Sequence, residues 1–171
     1  MDALFYGSAT VAIVATVLVI TELHAVHALL YLIVSLLAVA VIFYALGAPF
    51  VAALEVIVYA GAIMVLFLFM LMMLSLGPRA TEEEIRLLSP RSWVGPAILA
   101  IVLFLELIFV LPAAGPTTGA QAVDPSMVGI ALFGPYVIGA ELASLLLLAG
   151  LVGAYHLGRR EEESELPGGT R

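Results

Sequence analysis

Residues Val51–Leu76 read VAALEVIVYAGAIMVLFLFMLMMLSL, with one charged side chain, Glu55, in an otherwise apolar run. A helix crossing a hydrocarbon core of about 30 Å needs roughly 20 apolar residues, and this run exceeds that. A helix resting on a soluble core would show a polar stripe at the 3.6-residue period. Met64–Met70 shows none and is apolar all round. The stretch is therefore read as a membrane-spanning helix. As a straight helix it would be about 39 Å long, more than the core requires. Tilt alone would need roughly 40°, the edge of the range for such helices. The excess predicts a kink, a π-bulge or an overhanging end.

Working outward, the whole chain has the same character. Of its 171 residues 64% are hydrophobic and 11% charged, with mean hydropathy +1.21. Soluble domains have about 25% charged residues, so this chain cannot cover itself with a polar surface and takes lipid as its solvent. Five stretches qualify as spans: Ala3–Thr21, Ala28–Leu46, Val51–Leu76, Val94–Leu111 and Phe133–Leu157. Gly47-Ala48-Pro49, Gly77-Pro78 and Leu111-Pro112 supply the breaks. Gly134-Pro135 sits at the start of the fifth span, where Pro is tolerated in a first helical turn. The first span lacks a basic start and runs on into another span, so it is read as retained rather than cleaved. The expected fold is an all-α integral membrane protein: a five-helix domain over residues 1–158 and a polar, acidic tail over residues 159–171.

Arginine sets the orientation. Arg79, Arg86 and Arg91 lie between the third and fourth spans, and Arg159, Arg160 and Arg171 follow the fifth. With five spans those two segments share one side, and the positive-inside rule makes it the cytoplasm. The N-terminus is then outside and the tail inside. The acidic runs Glu82–Glu84 and Glu161–Glu165 mark water-facing segments, and the tail is read as disordered or laid on a partner. Ala113–Ile130 is read as a long outside loop.

A carboxylate inside the bilayer costs at least about 2.5–3.5 kcal/mol on insertion scales, so it faces protein or water. Glu55 and Tyr59 are four apart and share one helix face. Glu55 reads either as a residue of a proton relay or hydrated cavity, or as an interfacial carboxylate about one turn below the outer boundary. Tyr59 alone reads as a packing aromatic with a satisfied hydroxyl. Ala60-Gly61-Ala62 lets another backbone approach closely. Glu106, near the outer end of the fourth span, reads as a helix-end residue reaching the interface. Glu141, with Ser144 on its face in the fifth, carries slightly more weight, and the three acids could line one pocket. In the fifth span Ala149/Gly153 and Gly150/Ala154 form small-residue pairs suited to helix packing. His156 beside Arg159 and Arg160 reads as a cation at a helix C-terminus. His24 and His27, with Glu22, read as capping or partner contacts and as too few for a metal site.

Absences narrow the function. The chain has no Cys, which removes disulfides, iron–sulfur ligation and a thiol nucleophile. A net charge of −7 with no Lys argues against nucleic acid. No nucleotide loop, dinucleotide fingerprint, HExxH or nucleophile elbow is found. No repeat and no inverted pair of broken helices marks a self-contained transporter. By composition the chain is a subunit with no catalytic residue, metal or cofactor of its own.

Three strings carry a resemblance. His27-Ala28-Leu29-Leu30-Tyr31-Leu32 enters the second span, and Leu54-Glu55-Val56-Ile57-Val58-Tyr59-Ala60-Gly61-Ala62-Ile63-Met64-Val65-Leu66-Phe67 runs through the third. Leu132-Phe133-Gly134-Pro135-Tyr136 precedes Glu141-Leu142-Ala143-Ser144 and Leu145–Gly150 in the fifth. Over essentially its whole length the chain resembles the subunit J (chain 6) family of the bacterial proton-pumping NADH:quinone oxidoreductase, respiratory complex I. The resemblance implies a multi-pass subunit of the bacterial inner membrane, with subunits A, H, K and N as neighbours. FMN, iron–sulfur clusters, NADH and quinone would belong to partner subunits. It further implies a π-bulge near the tyrosine–glycine pair, around Tyr59–Val65, with Glu55 on a polar approach. Loss of a bulge turns the following residues by about 100°. Met64, Val65, Leu66 and Phe67 would then swing past Glu55 and wet or dry a proton path. A subunit of a cation/proton antiporter or membrane-bound hydrogenase, and a purely structural packing subunit, are the competing readings.

Overall fold

The computed structural model describes residues 2–74, 90–110 and 122–164. Among these, every regular element is helical. The chain forms two compact units, Met1–Val123 and Asp124–Arg171.

The first unit begins with α1 (Asp2–Thr21) and α2 (Ala25–Ala45), the most extensively packed helix pair of the unit. Small side chains let them meet. Ala12 and Ala15 of α1 and Ala38 of α2 are buried, with Val11, Val34 and Leu103 filling the space between. In lipid no hydrophobic effect pushes helices together, so close packing and interhelical hydrogen bonds carry the association. Both are present. The Thr16 and Ser35 hydroxyls lie 2.9 Å apart across the pair. The Ser35 hydroxyl is also 3.2 Å from the Ala12 carbonyl, which accepts from it.

α2 ends in a hydrogen-bonded αL cap. Gly47, at φ 83°, donates its N–H to the Tyr44 carbonyl, and the Ala48 N–H reaches Phe43, each at 3.0 Å. This double closure satisfies carbonyls that the helix end would leave open. Only a residue without a β-carbon takes that φ without strain. Pro49 then starts α3 (Pro49–Leu54) at a position where its missing N–H costs nothing.

The third apolar run is not one regular helix. α3 passes into a nine-residue π-helical segment, Glu55–Ile63, which passes into α4 (Met64–Leu74). At the junction the Met64 N–H donates to the carbonyl of Tyr59, five residues back. The resemblance set a bulge around Tyr59–Val65; the π geometry instead begins at the carboxylate itself. The fourth run is α5 (Pro90–Val110), starting before the expected Val94. Its Gly95 admits the Tyr31 hydroxyl of α2 in direct contact, where a β-carbon would collide.

The second unit holds α6 (Pro125–Phe133) and α7 (Val137–Ser164). α6 corrects the sequence reading, which ran a loop through Ile130. Asp124 caps it, accepting from the Ser126 N–H at 2.8 Å and the Ser126 hydroxyl at 2.6 Å, and Pro125 opens the first turn. Gly134–Tyr136 form a turn, so Gly134-Pro135 precede the long helix rather than starting it. α7 continues beyond the expected end at Leu157 and carries the first residues of the supposed tail as helix to Ser164.

Among the described residues four helices are long and apolar enough to cross a membrane: Asp2–Thr21, Ala25–Ala45, Pro49–Met73 and Val137–Gly158. Trp93–Ile108 is a shorter apolar helix. Glu82–Glu84, Arg79, Arg86, the Gly77-Pro78 and Leu111-Pro112 breaks and the tail from Glu165 lie outside the described residues.

Candidate functional site

The π segment supplies the site's geometry. A π-helix joins each N–H to the carbonyl five residues back, holding one more residue in the turn than an α-helix. At Gly61 this brings the Val56 carbonyl under the α-carbon: a β-carbon there would sit 3.2 Å from that oxygen. The glycine tolerates the wider turn, and a side chain would need the carbonyl to give way.

No residue of the segment is buried within this chain. Glu55 is partly exposed and Tyr59 is 50% exposed. Among the described residues neither side chain has a hydrogen-bond partner. A carboxyl and a phenol on a membrane span need one, since lipid offers none. Their partners lie beyond the described residues, water included.

Beyond the segment, Met64 turns inward and is 5% exposed, whereas Val65 and Phe67 face outward at 48% and 47%. The residues proposed to exchange positions in a gate therefore lie on different faces. An apolar cavity of about 500 Å³ opens beside this region, lined by α2 (Val34, Tyr44), by Pro49 and Val56, and by α5 (Leu103, Phe104). Among the described residues its walls carry no charged group.

Within the first unit, Glu106 is engaged by α1. Glu106 accepts a hydrogen bond from the fully buried Ser8 hydroxyl at 3.1 Å and touches Gly7 of α1. It ties α5 to α1 instead of only reaching the interface. Glu141 lies exposed on α7 of the second unit, where Ser144 bonds the Ala140 carbonyl at 3.0 Å. His24 stands at the N-cap of α2, yet its side chain makes no capping bond; it pairs with Glu22 at 3.2 Å. Sequence reasoning missed Gly7, Ser8, Thr16 and Ser35. The signal was available, because Ser8, Ala12 and Thr16 recur every four residues along one face of α1.

Comparison with known proteins agrees with the resemblance. Residues 15–157 match the family NADH-ubiquinone/plastoquinone oxidoreductase chain 6. A Pseudomonas aeruginosa protein named NADH-quinone oxidoreductase subunit J is 57% identical over 163 residues, covering 94% of this chain and 98% of the relative. A protein of the same name from Escherichia coli is 50% identical over 167 residues, covering 97% and 91%. One from Buchnera aphidicola is 44% identical over 163 residues, covering 95% and 100%. With the matched region spanning most of the chain, including the π segment, the chain belongs to the NADH-ubiquinone/plastoquinone oxidoreductase chain 6 family.

Proposed function

We propose that this chain, a membrane subunit of NADH-quinone oxidoreductase, couples quinone reduction to proton pumping through a conformational gate in its third span. The observation that carries the reading is the π segment opening at Glu55 and closing at Met64, with two polar side chains that no described residue of the chain satisfies. Five spans, with the N-terminus outside and the tail in the cytoplasm, set the subunit in the inner membrane. Neighbouring subunits A, H, K and N cover its exposed faces. The chain holds no flavin, cluster, nicotinamide or quinone and is not catalytic alone; those groups belong to its partners.

The gate works by register. Converting the π segment to α-helix removes one residue from the turn and rotates Met64, Val65, Leu66 and Phe67 by about 100°. Bulky apolar side chains then enter or leave the space beside Glu55 and Tyr59, and a hydrated path dries or fills. Glu55 supplies the protonatable group on that path. Quinone chemistry in the partner subunits can drive the change only by stabilising one form over the other. Glu141 is a further polar residue of the spans in this reading, whereas Glu106 is engaged by Ser8.

Two substitutions test it in the assembled complex. Gly61→Val crowds the Val56 carbonyl and should lower protons pumped per NADH with NADH oxidation retained. Glu55→Gln removes the titrating group and should act in the same direction. Unchanged pumping in a fully assembled Gly61→Val complex would end the gate reading. Unchanged pumping in Glu55→Gln would return Glu55 to an interfacial role.

A further inference from the structure

The turn joining α1 to α2 gathers three side chains able to ligate a metal. Glu22, His24 and His27 each offer one ligand atom, and these atoms all lie within 4.8 Å of one another. His24 Nδ1 stands 3.2 Å from Glu22 Oε1. The two imidazole rings meet edge to face, centroids 5.8 Å apart. His27 is 4% exposed, and among the described residues no hydrogen bond engages its ring. A largely buried imidazole turned toward a carboxylate and a second imidazole converges three donors on one place in the turn.

We infer that this turn binds one transition-metal dication of the zinc class, through a Glu22 carboxylate oxygen and one ring nitrogen each of His24 and His27. The sequence reading counted these residues as too few. Three protein ligands with water in the fourth position is nonetheless a recurrent zinc arrangement, His₂Glu among them. Zinc–nitrogen and zinc–oxygen bonds of about 2.0–2.2 Å put tetrahedral ligands roughly 3.4 Å apart. The Glu22–His24 pair is already at that spacing. The remaining gap closes by movement of His24 and Glu22, whose side chains are 48% and 29% exposed, onto the fixed His27. Imidazole donors select zinc, copper or nickel over calcium and magnesium, which want oxygen. The carbonyl end of α1 favours a cation here and the amide end of α2 opposes it, so the helix poles roughly offset. Glu22 supplies the net negative charge. Burial raises its carboxyl, but hydrogen bonds from the His24 ring and backbone and the nearby imidazoles outweigh this and hold it below its ordinary value. Bound metal would fasten the end of α1 to the start of α2, stabilising the hairpin as its concentration exceeds the dissociation constant.

The chain makes a direct test possible, because it has no Cys and three His in all. Full-length chain in detergent micelles is titrated with Zn²⁺ by calorimetry, and with Co²⁺ by visible absorption, where N/O ligation alone contributes. Circular dichroism confirms that each variant keeps its helices. The expected result is one saturable Zn²⁺ per chain, weakened about tenfold or more by His24→Ala and by Glu22→Gln, and unchanged by His156→Ala. His24→Ala removes no capping bond of α2. Absence of saturable binding, or binding that survives both His24→Ala and Glu22→Gln at full affinity, overturns the inference.

Discussion

A carboxyl group inside a bilayer needs a partner, and Glu106 has one 3.1 Å away in the Ser8 hydroxyl. Glu55 and Tyr59 have none among the described residues. That contrast separates an acid used for packing from polar groups that no described residue engages. Ser8→Ala should strip Glu106 of its donor. Interhelical hydrogen bonds in membranes are worth about 0.6 kcal/mol on average and up to about 1.7. The variant should therefore lose stability of that order in denaturant titration of the micelle-embedded chain, without altering pumping by the assembled complex. A pumping defect equal to that of Glu55→Gln would move Glu106 onto the proton path. The sequence placed these acids in apolar runs, because a charge in such a run is visible at once. It did not show which helix each faces, since rotation about a helix axis is set by packing. The Ser8 partner of Glu106 was not legible for that reason.

At the scale of elements, the third run shows what hydrophobicity conceals. Its excess length was legible and required some departure from a straight helix. The π geometry over Glu55–Ile63 was not, because it rests on backbone register and on Gly61 leaving room at the Val56 carbonyl. α6 was missed for another reason. Asp124-Pro125-Ser126 is a capping residue followed by Pro at the first helical position, but the helix behind it is only nine residues long and its flanks read as loop. The Asp124 carboxyl is held below its usual range by hydrogen bonds from the Ser126 hydroxyl and backbone N–H. The cap therefore contributes fully above the ordinary carboxylate value of about 3.9 and is lost as pH falls through the lowered value. Amide exchange in α6, corrected for intrinsic rates, should accelerate below about pH 4 in the native chain. It should already be faster at neutral pH in Asp124→Ala and show little further acid step. Identical profiles for the two would mean that the cap does not hold α6.

For the whole molecule, the decisive feature is how little of it is buried. The span Pro49–Met73 has 6% of its most apolar window inside the structure, and α4 carries large apolar side chains facing outward. A bundle so sparsely covered suits a subunit that completes its packing against other chains, as composition already suggested. The chain should therefore migrate on a native gel, after mild detergent extraction, in a large band that oxidises NADH. A small free species, or a large band without that activity, would favour an antiporter or hydrogenase assembly. Within the assembly the central claim is a change of helical register, and it can be seen directly. Maps of the complex by electron cryomicroscopy, at rest and during turnover, would resolve the backbone from Glu55 to Phe67. The account predicts that Glu55–Ile63 is π-helical in one state and regular in the other, with Met64–Phe67 rotated by about 100° between them. An unchanged π segment in both states, with Met64 buried throughout, would contradict it.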